Sequence, residues 1–325
     1  MNRKTKTILI ISFSLLFVGI CVGVYFLLTI PPKTYPKEPV EQTSLYSTVQ
    51  KINFENKDLD STDYPLLGVS NTVALKDVET FALQLDPKMK QTANVAGKFY
   101  KWENKESYVI YELEQNTVLF SLSNGINWNE ADISDYTFKS FLKQYYGKDW
   151  EYKIALNTKD YDGFTVYYAN RIFNNYIIKT NEYNGETDFL AFKNGEIMHG
   201  KILVTEFFNT EKTLPLLDAK NLKKYINLES YPKEIYPNYS ALANSVLKQV
   251  SYLSEEFEKI AKSVSNCSGD TIEVVYLYKN FKQEWLTPVY KVDLQCEITY
   301  KDTRYTIPAI GYVNAVDPKY ISIPE

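Results

Sequence analysis

Histidine and cysteine are scarce in this sequence, and they are the side chains on which much acid–base, nucleophilic and metal chemistry depends. The 325 residues contain one histidine, His199, and three cysteines, Cys21, Cys267 and Cys296. Any triad based on histidine would have to use His199, which follows an Asn-Gly turn on a predicted strand. A single histidine on a strand is more typical of a surface or packing residue than of a general base, so we expect no such triad.

The other motifs that support chemistry are incomplete in this sequence. Residues 68–72 come nearest to the nucleophile motif Gly-x-Ser-x-Gly but lack its second glycine. Asp160, Asp162 and Gly163 match part of a calcium loop, whose twelfth position would be Ala169 instead of the required Glu. Neither glycine-rich phosphate-binding motif occurs. We therefore expect no catalytic residue, no metal ion and no cofactor.

Cys267 and Cys296 are candidates for a disulfide bond. Cys267 precedes a predicted strand, and Cys296 lies on the apolar side of the following one. A bond would close a loop of about 30 residues and would stabilise the fold by roughly 3–4 kcal/mol. It also requires an oxidising compartment. The alternative is a pair of separate buried thiols.

A segment without charges near the N terminus predicts a membrane anchor. Residues 1–7 carry three basic side chains and no acidic one, and residues 8–30 carry no charge. As a helix this segment would be about 34 Å long, which is enough to cross a hydrocarbon layer of ~30 Å. Basic residues ahead of the segment favour a cytoplasmic N terminus. We predict a cytoplasmic tail (1–7), a single-pass transmembrane helix in the lipid bilayer (8–30) and an extracytoplasmic remainder.

Two alternatives to this anchor remain open. One is a cleaved signal peptide, although no alanine precedes Ala74 and an Ala-x-Ala cleavage site is therefore absent. The other is a lipoprotein attached through Cys21, although Ile20 stands where a small residue is expected.

The basic residues are almost all lysine, which bears on the class of partner. Only Arg3, Arg171 and Arg304 are arginine among the 36 basic residues, and the formal charge is −4. Recognition of phosphate and nucleic-acid bases relies on the guanidinium fork, so we expect no nucleic-acid partner. The aromatic content of 15% provides material for a folded core.

Two kinds of hydrophobic period alternate along the chain. A period of three and four residues predicts helices over 74–85, 135–146, 218–226 and 240–264. A period of two predicts strands between them, and it is strictest over 290–300. Because helices followed by strands recur, the predicted fold class is α+β: an N-terminal transmembrane helix followed by two helix-plus-antiparallel-sheet subdomains. The predicted limits are a spacer at 31–63, a first subdomain at 64–230 and a second at 238–325.

The C-terminal part resembles PepSY-like domains. The segment 272–291 contains Trp-Leu-Thr-Pro-Val-Tyr at 285–290, similar to the strand, break and Leu-x-Pro-x-Tyr strand of such domains. Residues 311–317, Gly-Tyr-Val-Asn-Ala-Val-Asp, resemble their closing strand, although Asp-Pro replaces the Thr-Gly-like turn. Residues 170–174 resemble a degenerate earlier copy. Such domains occur in membrane-anchored auxiliary proteins that restrain a cell-wall sensor kinase, so the resemblance implies a non-catalytic binding or regulatory exterior domain.

The sequence thus predicts a binding or regulatory module on the outside of the cell membrane. Its expected partner is another membrane or envelope protein, contacted through exposed tyrosine and phenylalanine side chains. One alternative is a structural subunit of a secretion, conjugation or cell-wall assembly complex. A less favoured alternative is an envelope hydrolase that uses two carboxylates, because such pairs cannot be recognised from spacing alone.

Overall fold

The computed structural model describes residues 52–54, 62–95, 98–128, 133–159, 163–180, 185–228, 231, 233–238, 264, 266–300 and 302–320. The predicted cytoplasmic tail (1–7) and transmembrane helix (8–30) lie outside these residues. Most of the predicted spacer (31–63) also lies outside them, as does the helix predicted at 240–264 except for its last residue. The predicted limits of the spacer and of the two subdomains stay predictions.

The described residues form seventeen β-strands, three α-helices and one 3-10 helix. The helices are α1 (Leu75–Leu85), α2 (Asp135–Tyr145), α3 (Ala219–Tyr225) and the 3-10 helix Pro318–Tyr320. The strands are β1 (Ile52–Phe54), β2 (Asp63–Ser70), β3 (Lys90–Val95), β4 (Phe99–Asn104), β5 (Ser107–Glu112), β6 (Thr117–Asn127), β7 (Glu151–Lys159), β8 (Thr165–Phe173), β9 (Tyr176–Thr180), β10 (Asp188–Lys193), β11 (Glu196–Leu203), β12 (Glu206–Pro215), β13 (Lys233–Pro237), β14 (Cys267–Tyr278), β15 (Trp285–Leu286), β16 (Pro288–Tyr300) and β17 (Thr303–Asn314).

The strands are arranged in one large sheet and one small sheet. The large sheet has the order β13-β17-β16-β14-β9-β8-β10-β11-β6-β5-β4-β3, with β1 added at β14 and β7 added at β8. Its pairs are antiparallel except for β1 with β14 and β9 with β14. The small sheet has the order β12-β2-β15. The chain passes from the large sheet to the small one between β11 and β12, at residues 203–206, and we call this segment the crossover.

Helices α1 and α2 cover one face of the large sheet between β4 and β8. Each helix repeats apolar residues at a spacing of three and four, which gives it one apolar face. The rings of Phe81 from α1 and Phe141 from α2 lie 5.8 and 5.6 Å from the ring of Phe120 in β6. All three side chains are buried, and burying each contributes roughly 1.5–3 kcal/mol.

The small sheet packs on the C-terminal part of the large sheet. Leu67 of β2 and Leu286 of β15 share a core with Tyr276 and Tyr278 of β14. Tyr276 is buried, and its hydroxyl donates a hydrogen bond to the carbonyl oxygen of Pro65 at 2.6 Å. The apolar ring is therefore removed from water while the polar end keeps a partner.

Two tight hairpins connect strands that position the candidate site. Asn174 and Asn175 join β8 to β9 with φ angles of 48° and 67°, and Asn194 and Gly195 join β10 to β11 with 55° and 79°. Turns with positive φ at both central residues favour asparagine and glycine and match the twist of antiparallel strands. The Asn-Gly turn that the sequence predicts before His199 is this turn at Asn194-Gly195.

The predicted α+β fold class is wrong, because the described part of the chain is mainly β. Helices occur where the period of three and four predicts them at α1, α2 and α3, but none exceeds 11 residues. Within the described residues, helices do not alternate with separate sheets: most strands belong to one continuous sheet. None of the helices among the described residues has the length and apolar character needed to cross a membrane. The single-pass transmembrane description therefore has no helix to support it in this part of the chain.

Candidate functional site

The two cysteines predicted to pair lie opposite each other on neighbouring antiparallel strands. Cys267 of β14 is in register with Cys296 of β16, and both side chains are buried. Their sulfur atoms are 2.02 Å apart, the length of a disulfide bond. The backbone N–H of Glu297 donates to the carbonyl of Asn266, which makes this a non-hydrogen-bonded pair, the type in which opposite residues approach most closely.

His199 lies in β11, as the sequence predicts, and it faces away from the two helices. It is in register with Ser121 of β6 and Ala191 of β10, and its ring is 4.8 Å from the ring of Phe164. His199 is half-buried. His199 therefore occupies an aromatic packing position on the surface of the sheet.

The incomplete motifs do not form a site in the described residues. Ser70, from the glycine–serine motif, ends β2 and its hydroxyl lies 2.8 Å from that of Thr72. Asp160 and Asp162 of the calcium-like loop lie outside the described residues. No group of three or more His, Cys, Asp or Glu side chains that could hold a metal ion occurs in the part of the chain that the structure describes.

The face of the large sheet opposite α1 and α2 carries two cross-strand rows of side chains, and we call it the open face. Along each strand these positions alternate with residues of the core beneath the helices, such as Trp102, Val109 and Phe120. One row consists of Glu103, Tyr108, Ser121, His199, Ala191 and Val166, and the other of Lys101, Ile110, Leu119, Lys201, Phe189 and Tyr168.

The larger apolar side chains in the middle of the open face remain partly accessible to water, whereas Val166 and Ala191 are buried. Tyr108 is 37% exposed, and Ile110, Leu119, Phe189 and Tyr168 are half-buried. The rings of Tyr168 and Phe189 contact each other at 5.9 Å. In contrast, Gly200 between the two rows faces the core, where an added Cβ would lie 2.3 Å from the Phe120 ring. The two faces of this sheet thus differ sharply in how well they are covered.

Lysine side chains border the aromatic groups of the open face. The Nζ atom of Lys193 lies 4.7 Å from the centre of the Phe164 ring, and that of Lys101 lies 5.7 Å from the centre of the Tyr108 ring. Lys101 also forms an ion pair with Glu103. A cation near an aromatic face is attracted by the electron-rich ring. The open face can therefore present aromatic surface and positive charge to the same partner.

A buried charged cluster holds one side of the crossover. Arg171 of β8 donates from Nη1 to the carbonyl of Leu203 at 2.9 Å, and Asp188 of β10 accepts the N–H of the same residue at 3.0 Å. Arg171 and Asp188 are 3% and 2% exposed. The guanidinium carbon of Arg171 lies 3.2 Å from the centre of the Trp150 ring and 5.3 Å from that of Phe207. Two buried charged side chains therefore bind both backbone polar groups of Leu203.

The end of α2 brings two further residues to this cluster. Gly147 has a φ of 72°, and the N–H of Lys148 donates back to the carbonyl of Leu142 at 3.3 Å, which ends the helix with a left-handed glycine. Lys148 then forms an ion pair of 2.6 Å with Glu206, whose carboxylate is also 3.9 Å from Arg171. The cluster thus extends from the core to the surface.

Burial controls the protonation of this cluster. It raises the pKa of Asp188 to about 6, and the effect is only partly offset by Thr187, Arg171 and the Leu203 N–H. Burial also raises the pKa of Tyr152 well above its ordinary value, and the charge of Asp188 adds to the increase. The Tyr152 hydroxyl and Oδ2 of Asp188 have no hydrogen-bond partner within the described residues. Desolvation therefore outweighs the attraction of Arg171 for the Asp188 carboxylate.

An uncharged amide network holds the other side of the crossover. The carbonyl of Asn116 accepts the N–H of Val204 at 3.0 Å, and its side-chain amide donates to the hydroxyl of Thr205 at 2.7 Å. Tyr111 donates to Oδ1 of Asn116 at 2.7 Å. Oδ1 of Asn71 accepts hydrogen bonds from Thr205 and, at 3.1 Å, from Tyr278. This network connects β5, β14 and the crossover with the residue that follows β2 and the residue that precedes β6.

Sequence reasoning missed both groups around the crossover. Arg171 and Asp188 belong to different strands, and their register across β8 and β10 is not written in any local period. One signal was available: Arg171 is one of only three arginines and lies in an apolar strand, which predicts a buried and paired guanidinium. The open face, by contrast, follows from the alternation in β5 and β6 once those strands are predicted.

Comparisons with known proteins leave the chain without a family. No family model and no curated protein matches it. The solved structures similar to it include an uncharacterized protein from Eubacterium rectale, which is 11% identical. The match covers 83% of this chain and 90% of that protein, with a TM-score of 0.44. A likeness this distant carries no argument about function.

Proposed function

We propose that this chain is a non-catalytic, extracytoplasmic binding module whose open face contacts another protein of the cell envelope. The observation that carries the proposal is the partly exposed row of Ile110, Leu119, Phe189 and Tyr168 on the side of the sheet that α1 and α2 do not cover. Contiguous apolar surface of this kind is characteristic of sites of protein interaction, and tyrosine is enriched at their centres.

The charges of the open face favour an acidic partner surface. The chain carries a formal charge of −4, yet the rows of the open face contain Lys101 and Lys201, and Lys193 lies beside them over Phe164. Lys101 is also paired with Glu103, so part of its charge is balanced within the chain. An acidic protein surface would therefore meet complementary charge here, and its association would slow at high salt.

The Cys267–Cys296 geometry supports a location outside the cytosol. Disulfide bonds persist in oxidising compartments and are rare where thiols are kept reduced. Cys267 and Cys296 lie opposite each other on β14 and β16, and both are buried. Counting free thiols in the purified protein before and after reduction tests the bond directly. The resemblance to PepSY-like domains stays a prediction, and the proposal does not depend on it.

Site-specific cross-linking in cells tests the binding function. A photo-cross-linking amino acid replaces Tyr108 on the open face or, as the matched control, Tyr136 on α2, which is 71% exposed on the opposite side of the sheet. We expect Tyr108 to give a cross-link to one reproducible envelope protein and the more exposed Tyr136 to give none. The variant Lys201→Glu should reduce this cross-link, because it replaces a positive charge in the row beside His199.

Three results would contradict the proposal. These are equal cross-linking from both positions, recovery of uncross-linked monomer only, and a cross-link confined to a second copy of this chain. The last result would instead support the alternative of a structural subunit, since such subunits have large symmetric self-contacts.

A further inference from the structure

We propose that Asp188 makes the crossover between the two sheets responsive to pH, so that the crossover is held more tightly when the Asp188 carboxyl group carries a proton. This inference does not depend on the proposed binding function. It begins from the position of Asp188, which is 2% exposed and accepts the N–H of Leu203, the last residue of β11 and the first of the crossover.

The hydrogen bonding of Asp188 is incomplete in a way that a proton would change. Oδ1 accepts the Leu203 N–H, whereas Oδ2 has no partner within the described residues, and the hydroxyl of Tyr152 is in the same situation. A carboxylate can only accept hydrogen bonds, but a protonated carboxyl group can also donate one. Protonation therefore removes a buried charge, and this is the main gain, because the neighbouring Tyr152 hydroxyl can donate to the carboxylate as well as accept from the protonated group.

The neighbouring charges do not compensate fully for the burial of a carboxylate. Arg171 on β8 gives Nη1 to the Leu203 carbonyl, and its Nη2 lies 3.9 Å from Glu206 on β12. Two carboxylates thus compete for a single guanidinium. Lys201 on β11 also favours the charged form of Asp188, but it has the smallest effect among the groups that do so. The hydroxyl of Tyr152 on β7 lies beside Asp188.

The sign of the effect follows from linkage. Asp188 has a pKa of about 6 in the folded protein, above the value of 3.8 for a carboxyl group in water. Opening of the crossover exposes the group to water and releases the bound proton whenever the pH lies above the lower value. The closed state is therefore fully favoured below about pH 4, and this contribution is lost as the pH rises through 6.

The consequence extends to the open face. Lys201 and Leu203 belong to the same strand, and β12 of the small sheet begins directly after the crossover. Opening at residues 203–206 frees the end of β11, and with it the end of the row that contains Lys201. Mild acid would thus stabilise the geometry of this row, and neutral pH would allow it to open more often.

Hydrogen exchange measured by mass spectrometry tests the inference on the full chain. Exchange is compared at pH 5.0 and pH 7.5 with times scaled for the intrinsic pH dependence, in peptides that cover the crossover and in peptides from β16. We expect protection at the crossover to be about tenfold greater at pH 5.0, as the two pKa values require. Protection in β16, which contains no part of the cluster, should not change.

Two variants separate Asp188 from the other carboxyl groups. Asp188→Asn keeps the shape and the acceptor for the Leu203 N–H but cannot titrate, so the protection of its crossover should be the same at both pH values. Asp293→Asn changes an exposed aspartate of β16 and should keep the tenfold difference. A wild-type ratio near one, or a pH dependence that survives in Asp188→Asn, would overturn the inference.

A measurement on the wild-type protein covers the case in which Asp188→Asn does not fold. The side-chain carboxyl carbon of Asp188 is followed by carbon-13 NMR as the pH is raised from 3 to 8. We expect its midpoint near pH 6, and a midpoint near 4 would overturn the inference without any substitution.

Discussion

Two groups of side chains form hydrogen bonds to the crossover, and one group is charged whereas the other is neutral. The charged cluster uses Arg171 and Asp188 to bind the peptide groups of Leu203, and the amide network uses Asn116 to bind Val204 and Thr205. Both are buried. Only the charged cluster contains charged groups that burial removes from water. Only this cluster includes a group, Asp188, whose pKa is raised toward neutral pH. Neutral hydrogen bonds therefore fix the crossover at every pH in this range, whereas the charged cluster fixes it in a way that depends on pH.

This difference teaches how to interpret a buried charge in a protein without recognised chemistry. A buried ion pair often contributes little net stability, because desolvation offsets the attraction, but removal of one partner is costly. The cluster has an additional feature in that Arg171 lies against the ring of Trp150. Its planar guanidinium can stack and donate hydrogen bonds at once, which a lysine cannot do.

The largest expected effect comes from breaking the charged cluster. Arg171→Met should lower the free energy of unfolding at pH 7.5 by about 3–5 kcal/mol, because it removes the nearby cation that favours the buried Asp188 carboxylate and the donor to the Leu203 carbonyl. Urea-induced unfolding measures the change. At pH 5.0 the loss should be smaller, because Asp188 is then mostly protonated in the folded protein and carries little charge for Arg171 to balance.

The matched control for this variant is Arg304→Met, which removes an exposed arginine from β17. It should change the unfolding free energy by no more than about 0.5 kcal/mol. If Arg171→Met cost less than about 1 kcal/mol, or cost the same at both pH values, the distinction between the two groups would fail.

The second prediction concerns the amide network. Asn116 has a φ of 54°, so a glycine keeps its backbone conformation and removes only its side-chain hydrogen bonds. Asn116→Gly should cost about 2 kcal/mol, because the buried hydroxyl of Tyr111 loses its acceptor and Thr205 loses a donor. Asn116→Ala should cost about 1 kcal/mol more, because alanine is strained in the left-handed region. Neither loss should depend on pH between 5.0 and 7.5.

Asn194→Gly is the control for this backbone conformation. Asn194 has a φ of 55° but is exposed in the turn between β10 and β11. The substitution should be nearly neutral in the same unfolding experiment. A loss for Asn116→Gly that varied with pH would show that the network is coupled to Asp188, and the comparison between the two groups would need revision.

The sequence predicts much of the local structure and little of the long-range arrangement. The strict alternation at 290–300 is found within β16, and the helices at α1 and α2 begin and end within a few residues of the predicted limits. These features depend on neighbouring residues. The fold class was wrong because it requires the order of strands across the sheet, and the β9–β14 pair that continues the large sheet joins residues nearly one hundred positions apart.

The candidate site also has one part that local sequence predicts and one part that depends on long-range contacts. The open face follows from local alternation, since Tyr108 and Ile110 must lie on one side of β5 if Val109 lies on the other. The crossover contacts do not, because Asn71 and Tyr278 meet across 207 positions and Arg171 meets Leu203 across 32. No hydrophobic period records which polar side chains meet when distant strands pair.

The smallest expected effect tests where the charged cluster ends. Lys148 forms a 2.6 Å ion pair with Glu206, and both side chains are more than one-third exposed, in contrast to Arg171 and Asp188. Water screens exposed pairs, so Lys148→Met should lower the unfolding free energy by less than about 1 kcal/mol, and the loss should shrink further in 1 M salt. Urea unfolding at low and high salt measures both quantities. A loss as large as that of Arg171→Met would mean that the surface pair is part of the buried cluster, because only charges removed from water are so costly to leave unpaired.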